Sequence, residues 1–185
     1  MAPQHQDAVN SPPSPWVVRF APLIAGGVLD IACGGGCHTR YFLSRGHRVT
    51  AVDCDLSRMA DLQDRAKLEM HEIDLEAGPG DGPLPGGQFG GVIVTNYLWR
   101  PLLTAIVAAV AEDGVLLYET FAAGNAAYGK PGNPDYLLQT GELLDAVRGH
   151  LQVVAYEHGV IDDPRPAVVQ RICAVRRNAG ETAIN

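Results

Sequence analysis

The sequence predicts an α/β fold: a doubly wound, mostly parallel sheet of seven strands with helices on both faces. Three observations lead there. Short apolar runs bounded by glycine alternate with segments of helical periodicity, the pattern of strand–helix–strand units. The last two apolar runs are joined by "DDPRP" with no helix between them, so the sheet should close on an antiparallel C-terminal edge strand. The first apolar run ends in an acid and three glycines, "VLDIACGGG", the form of a ligand-binding turn at the carboxyl end of a strand.

In chain order, Ser14 is a candidate N-cap and Pro15 a first-turn residue, so "SPWVVRFAPLI" predicts a short helix. Val28 to Ile31 is too short for a helix and reads as a buried strand. "HTRYFLSRG" follows as a helix stopped by Gly46. "HRVTAVD" is the second strand. Ser57 then caps a helix over "RMADLQDRAKLE", with Met59, Leu62 and Ala66 on its apolar face. "EMHEID" is a third strand ending at Asp74, and "LEAGPGDGPLPGGQFGG" is a loop dense in glycine and proline. Strand "VIVTNYL", helix "LLTAIVAAVAE" and strand "GVLLYETF" come next. Residues 122–139 form a long polar loop, a candidate lid, before helix "GELLDAVRG" with Thr140 as its cap. "LQVVAYEHGVI" and "AVVQRICAVRR" are the closing strands. A single domain is expected over 14–177, with flexible tails over 1–13 and 178–185.

The 185 residues carry a formal net charge of -7, and apart from "VRRN" the basic residues show no cluster, which argues against a nucleic-acid partner. No apolar run approaches the roughly 20 residues that cross a bilayer. The first residues resemble no secretory signal. Cys33, Cys37, Cys54 and Cys173 lack the spacing of a zinc site and read as reduced thiols, so the expected location is cytoplasmic and no metal site is expected.

The chemistry concentrates at strand ends. Asp30 stands just before Gly34, Gly35 and Gly36. A carboxylate there repels pyrophosphate and attracts an ammonium or sulfonium group. A dinucleotide fingerprint needs a third glycine where this chain has Thr39. Asp53 ends the second strand at the spacing from which an acid reaches ribose hydroxyls, with Asp55 as a competing candidate, and Asp74 ends the third, where it can accept from an adenine amino group. A ligand cationic at one end, with a ribose and an aminopurine, is S-adenosylmethionine.

"VLDIACGGG", "VTAVDCD" and "IDLE" together resemble the class I S-adenosylmethionine-dependent methyltransferases, whose sheet is Rossmann-like. The similarity is greatest to small bacterial methyltransferases of the tellurite-resistance and thiopurine type, and it covers the chain from about Ser14 to Arg177. The resemblance implies that Asp30, Ala32, Gly34 and Gly36 line the methionine part, and that Asp53 holds the ribose with Cys54 beside it. It also implies that Asp74 and Leu75 flank the adenine, that Asn96 stands near the methyl donor, and that S-adenosylhomocysteine is the product. Where the family's fourth motif opens on an acid, this chain has Gly90.

Tyr97, Trp99 and Arg100 in "NYLWRPLL", and Tyr118, Glu119, Tyr128 and Lys130 farther on, are candidates for the acceptor side, with Glu119 or Tyr118 as a candidate base. The first helix, with Trp16, Arg19 and Phe20, is a candidate cover for the cofactor. A small-molecule acceptor is expected, because the chain is acidic and has no spare segment for a recognition domain. The competing readings are an RNA or protein methyltransferase, a nicotinamide-dependent oxidoreductase, which Asp30 and Thr39 count against, and a non-enzymatic cofactor-binding protein.

Overall fold

A computed structural model of the protein describes residues 11–77 and 84–177. The expected tails lie outside these residues except for 11–13, as does part of the glycine- and proline-rich loop.

Seven strands form one sheet in the order β3-β2-β1-β4-β5-β7-β6. β1 (Val28–Ile31), β2 (Val49–Asp53), β3 (Leu68–Glu72), β4 (Phe89–Thr95) and β5 (Val110–Phe121) pair in parallel. β6 (Gln152–Ile161) and β7 (Ala167–Val175) form the expected hairpin, and β7 is also antiparallel to β5. The reversed strand therefore lies one place in, and β6 is the edge.

Alternation along the strands sorts the core into two layers. Leu29, Ile31, Val92, Val94, Leu116 and Tyr118 face α3 (Leu103–Ala108) and α4 (Glu142–Val147). Val28, Ile93, Val115 and Leu117 face the other way, where α1 (Pro15–Phe20) supplies Trp16, Val17 and Phe20 and α2 (Cys37–Ser44) supplies Phe42. Helices thus cover both faces. Ser14 caps α1 as expected, its hydroxyl accepting from the Trp16 amide. Trp16 Nε1 donates to the Ile172 carbonyl, and Arg19 lies over the Phe20 ring.

Several boundaries move. The helix expected after Ser57 is a single 3-10 segment, Ser57–Leu62, with no side-chain cap. Only Met59 and Leu62 are buried there, a three-residue spacing that suits 3-10 winding, and Ala66 is exposed. The chain must then reverse so that Leu68 can pair with Val49. β4 starts at Phe89 rather than Val92, and β5 at Val110, inside the expected helix, because Phe89 pairs with Val110 before the register shifts. Gly141, in left-handed backbone, occupies the cap position of α4, and the Glu142 carboxylate accepts from the Gln139 amide, so Thr140 is not the cap.

Residues 122–139 are tethered rather than free. Leu138 bridges to Ala122, Leu137 and Leu138 are buried, and the Asn125 side chain joins the Pro131 carbonyl to the Val168 amide. Arg45, His47, Arg48 and Lys67, scattered in sequence, line one groove with Gly26 and Gly27 at the amino ends of β1 to β3. Lys67 there donates to the Gly46 carbonyl at the end of α2.

Candidate functional site

The carboxyl ends of β1 to β4 bring together the acids and glycines singled out in the sequence. Asp30 shares its side of β1 with Val28, which faces α2, so its carboxyl points at the first turn of that helix. There Thr39 Oγ1 donates to Asp30 Oδ2 at 2.6 Å. Both residues are buried, Asp30 at 1% exposure and Thr39 at 0%. Burial pushes the Asp30 carboxyl up to about 7, against the pull of hydrogen bonds from the Thr39 side chain and amide; the nearby Asp53 charge adds to the rise. Thr39, counted in the sequence only as a missing glycine, is what holds this acid.

Between Asp30 and α2 the backbone turns left-handed at Ala32, Gly34 and Gly36. A Cβ at Gly36 would also lie 2.9 Å from Met59 Sδ, so the buried Met59 side chain would have to shift. Cys33 is buried below, its thiol donating to that same sulfur at 3.5 Å, so it acts as packing.

Asp53 ties β2 to the turn. Its Oδ2 accepts from the Gly34 amide at 2.8 Å and its Oδ1 from the Asp55 amide at 3.1 Å, with the exposed Cys54 thiol also beside Oδ1. Oδ2, which accepts only from Gly34, keeps a second lone pair for a ligand hydroxyl. Asp55, the competing acid, instead accepts from the Ser57 amide at the start of the 3-10 segment. Asp74, exposed past β3, accepts from the Glu76 amide, and Leu75 beside it is buried in the core. Asn96 follows β4 in left-handed backbone, exposed, with its amide donating to the Glu119 carbonyl.

The acceptor-side candidates divide. Tyr97, half-buried, follows Asn96 at the same edge, and Trp99 packs against the α3 and α4 layer. Arg100 is consumed by the scaffold: its guanidinium is bidentate to Glu142 (2.7 and 3.0 Å) and donates to the Asp135 and Leu137 carbonyls. Tyr118 is a core residue whose hydroxyl donates to the Tyr97 carbonyl at 3.0 Å, and burial pushes its phenol far above the ordinary range. Glu119 accepts from Ser14 Oγ at 2.7 Å and from Arg171 at 3.2 Å. Neither Tyr118 nor Glu119 is therefore placed to serve as a base. Tyr128 and Lys130 are exposed on the 122–139 segment, where the Tyr128 amide bonds locally to Asn125.

Sequence reasoning missed His38 as an anchor. The Ser14 amide, which can only donate, sits 3.0 Å from His38 Nε2, so the neutral ring carries its proton on Nδ1, 3.4 Å from Thr95 Oγ1. Burial pushes His38 down to about 4. Ser14 thus clips the start of α1 to α2 and β5 together, a role hidden in a sequence where its partners lie 24 and 105 residues away.

This architecture, with a glycine turn and acids on successive strand ends, defines the class I methyltransferase fold, and the comparisons agree. Residues 28–114 match the family model described as a methyltransferase domain. The chain is 30% identical over 103 residues to the malonyl-[acyl-carrier protein] O-methyltransferase of Salmonella typhimurium, covering 53% of this chain and 40% of that protein. Two solved structures share the fold. TehB from Haemophilus influenzae matches with a TM-score of 0.71 at 17% identity, over 88% of this chain and 61% of that one. The 1,6-didemethyltoxoflavin-N1-methyltransferase of Burkholderia thailandensis, solved with 1,6-didemethyltoxoflavin and S-adenosylhomocysteine bound, matches with a TM-score of 0.65 at 22% identity, over 88% and 76%.

Proposed function

We propose that the protein is an S-adenosylmethionine-dependent methyltransferase acting on a small-molecule acceptor. The observation that carries this reading is the turn after β1, where a buried acid held by Thr39 underlies left-handed backbone that Asp53 grips through the Gly34 amide.

The residues fit the cofactor. A cationic group brought to Asp30 favours the ionised carboxylate, offsetting what burial costs it. Gly34 and Gly36 would let the backbone approach the methionine part closely, Asp53 would accept from a ribose hydroxyl, and Asp74 with Leu75 would flank the base. When bound, the cofactor supplies a methyl group already activated by its sulfonium.

What remains for the chain is alignment and the exclusion of water. Asn96 would stand at the methyl end, and Tyr118 fixes the main chain beside it through the Tyr97 carbonyl. With Tyr118 acting as a buried donor and Glu119 committed to Ser14 and Arg171, no proton needs to pass to either. The small acceptor is supported by the net charge of -7, which disfavours polyanions, and by the acceptor bound to the Burkholderia enzyme.

Thermal unfolding with S-adenosylhomocysteine and with NAD tests the reading. At 100 times its dissociation constant a ligand adds ~2.7 kcal/mol to stability. A rise in Tm with the former and none with the latter is expected; the reverse would overturn it.

A further inference from the structure

β6 ends the sheet on one side, and only β7 pairs with it. Among the described residues, no main-chain group outside β7 bonds to its ten residues, so its other edge presents a row of amides and carbonyls without a main-chain partner. Strand edges are commonly blunted by lysine or proline, and "QVVAYEHGVI" has neither. Its one carboxylate, Glu157, is paired with Arg171 of β7. The strand instead carries Val153, Val154 and Val160, three of the six large apolar residues exposed among the described residues, with Val160 the most exposed at 54%. Such an edge is a template for another strand.

A register shift between Val153 and Ala155 bounds the regular part, which runs from Ala155 to Ile161. Along it Ala155 packs on the α1 layer and Tyr156 on the α3 and α4 layer. Alternation then puts Glu157, Gly159 and Ile161 on the side of Ala155, and His158 and Val160 on the side of Tyr156. Gly159 leaves open space, since nothing lies within 4 Å of where its Cβ would be. A groove of about 460 Å³ runs along this stretch, with Val169 and Arg171 among its walls.

We propose that β6 is a self-association edge, at which two copies of the chain pair their β6 strands antiparallel about a two-fold axis at His158. The occupant follows from the strand's own sequence. Opposed residues of an antiparallel pair share a side, so in a two-fold pairing of identical strands the axis passes through a residue rather than between two. Placed at His158, it sets Tyr156 opposite Val160 of the second copy, an aromatic against a β-branched residue, and does so twice. On the other side it sets Ala155 opposite Ile161, and Glu157 opposite Gly159, where the carboxylate finds room beside the groove that holds Arg171. The two imidazoles at the axis can donate to and accept from one another. An axis at Glu157 would oppose two carboxylates, and one at Gly159 would set Glu157 against Ile161. The register at His158 alone of these matches apolar to apolar on both sides with no like charges opposed.

Sedimentation velocity of the full chain over a concentration series tests this. Seven residues a side make a small interface, so a reversible dimer with a dissociation constant on the order of micromolar is expected. Val160→Lys should weaken the dimer about tenfold or more, because the axis puts the change in twice, and should leave the Tm of the dilute chain unchanged. Leu23→Lys, at an exposed residue outside β6, should leave the dimer intact. Cysteines read the register. In a Cys54→Ser background, which removes the exposed native thiol, His158→Cys should cross-link to itself under mild oxidation, since opposed Cβ atoms lie ~4.5–5.5 Å apart. Val160→Cys, set opposite Tyr156, should not. A chain that stays monomeric up to about 100 µM overturns the proposal, whether residues 178–185 or solvent covers the edge. So does a dimer that Val160→Lys leaves intact, or one that Val160→Cys locks as readily as His158→Cys.

Discussion

Asp30 and His38 are buried titratable residues only eight positions apart in the chain, and they pull stability in opposite directions with pH. Asp30 has a raised native value, so what it contributes is fully present below the ordinary carboxylate range and is lost as pH rises through about 7. His38 has a depressed value, so its contribution is present above the ordinary imidazole range and is lost as pH falls through about 4. Between about pH 4 and 7 the two slopes oppose each other. Asp30→Asn should therefore leave a Tm that climbs with pH across that window, and His38→Gln one that declines. Parallel pH profiles for the two variants would contradict the assignment. The acids of the site were legible because strand ends announce themselves in an apolar pattern. Thr39, His38 and Ser14 were not, because each acts through a partner that only the fold brings near.

At the level of elements, β1, β2 and α2 were legible because short apolar runs between glycines admit few alternatives. The segment 57–67 was not, since its spacing fits a helix while only two of its apolar residues find a core to join. Gly90, where the family pattern has an acid, is explained by packing. A Cβ there would fall 1.5 Å from the Ala25 carbonyl oxygen, so β4 can lie beside the entry to β1 only without a side chain. Gly90→Ala should destabilise the protein by about 1–3 kcal/mol or more, read as a lower urea midpoint, because backbone rather than a flexible side chain must move. An unchanged midpoint would mean that the approach of residue 25 is looser than the geometry implies.

Across the whole molecule, the sheet direction also sorts charge. Asp30, Asp53, Asp74 and Glu76 gather at the carboxyl ends of β1 to β3, where Arg58 also stands beside the Gly34 turn, while Arg45, His47, Arg48 and Lys67 gather at the amino ends of the same strands. The sequence hid this grouping, because Arg45, His47, Arg48 and Lys67 are spread among unrelated turns. The chain carries a net charge of -7, which by itself favours the approach of a cation. S-adenosylmethionine carries one positive charge that its demethylated product lacks. The net charge should therefore hasten the approach of the donor and give the product no such pull. Stopped-flow association should slow with added salt for the donor, over ionic strengths where the Debye length shrinks from ~30 Å towards ~8 Å, and much less for the product. Equal salt dependence for the two would remove the long-range effect. With it, the acidity of the whole chain helps to set which way a spent cofactor is exchanged for a fresh one.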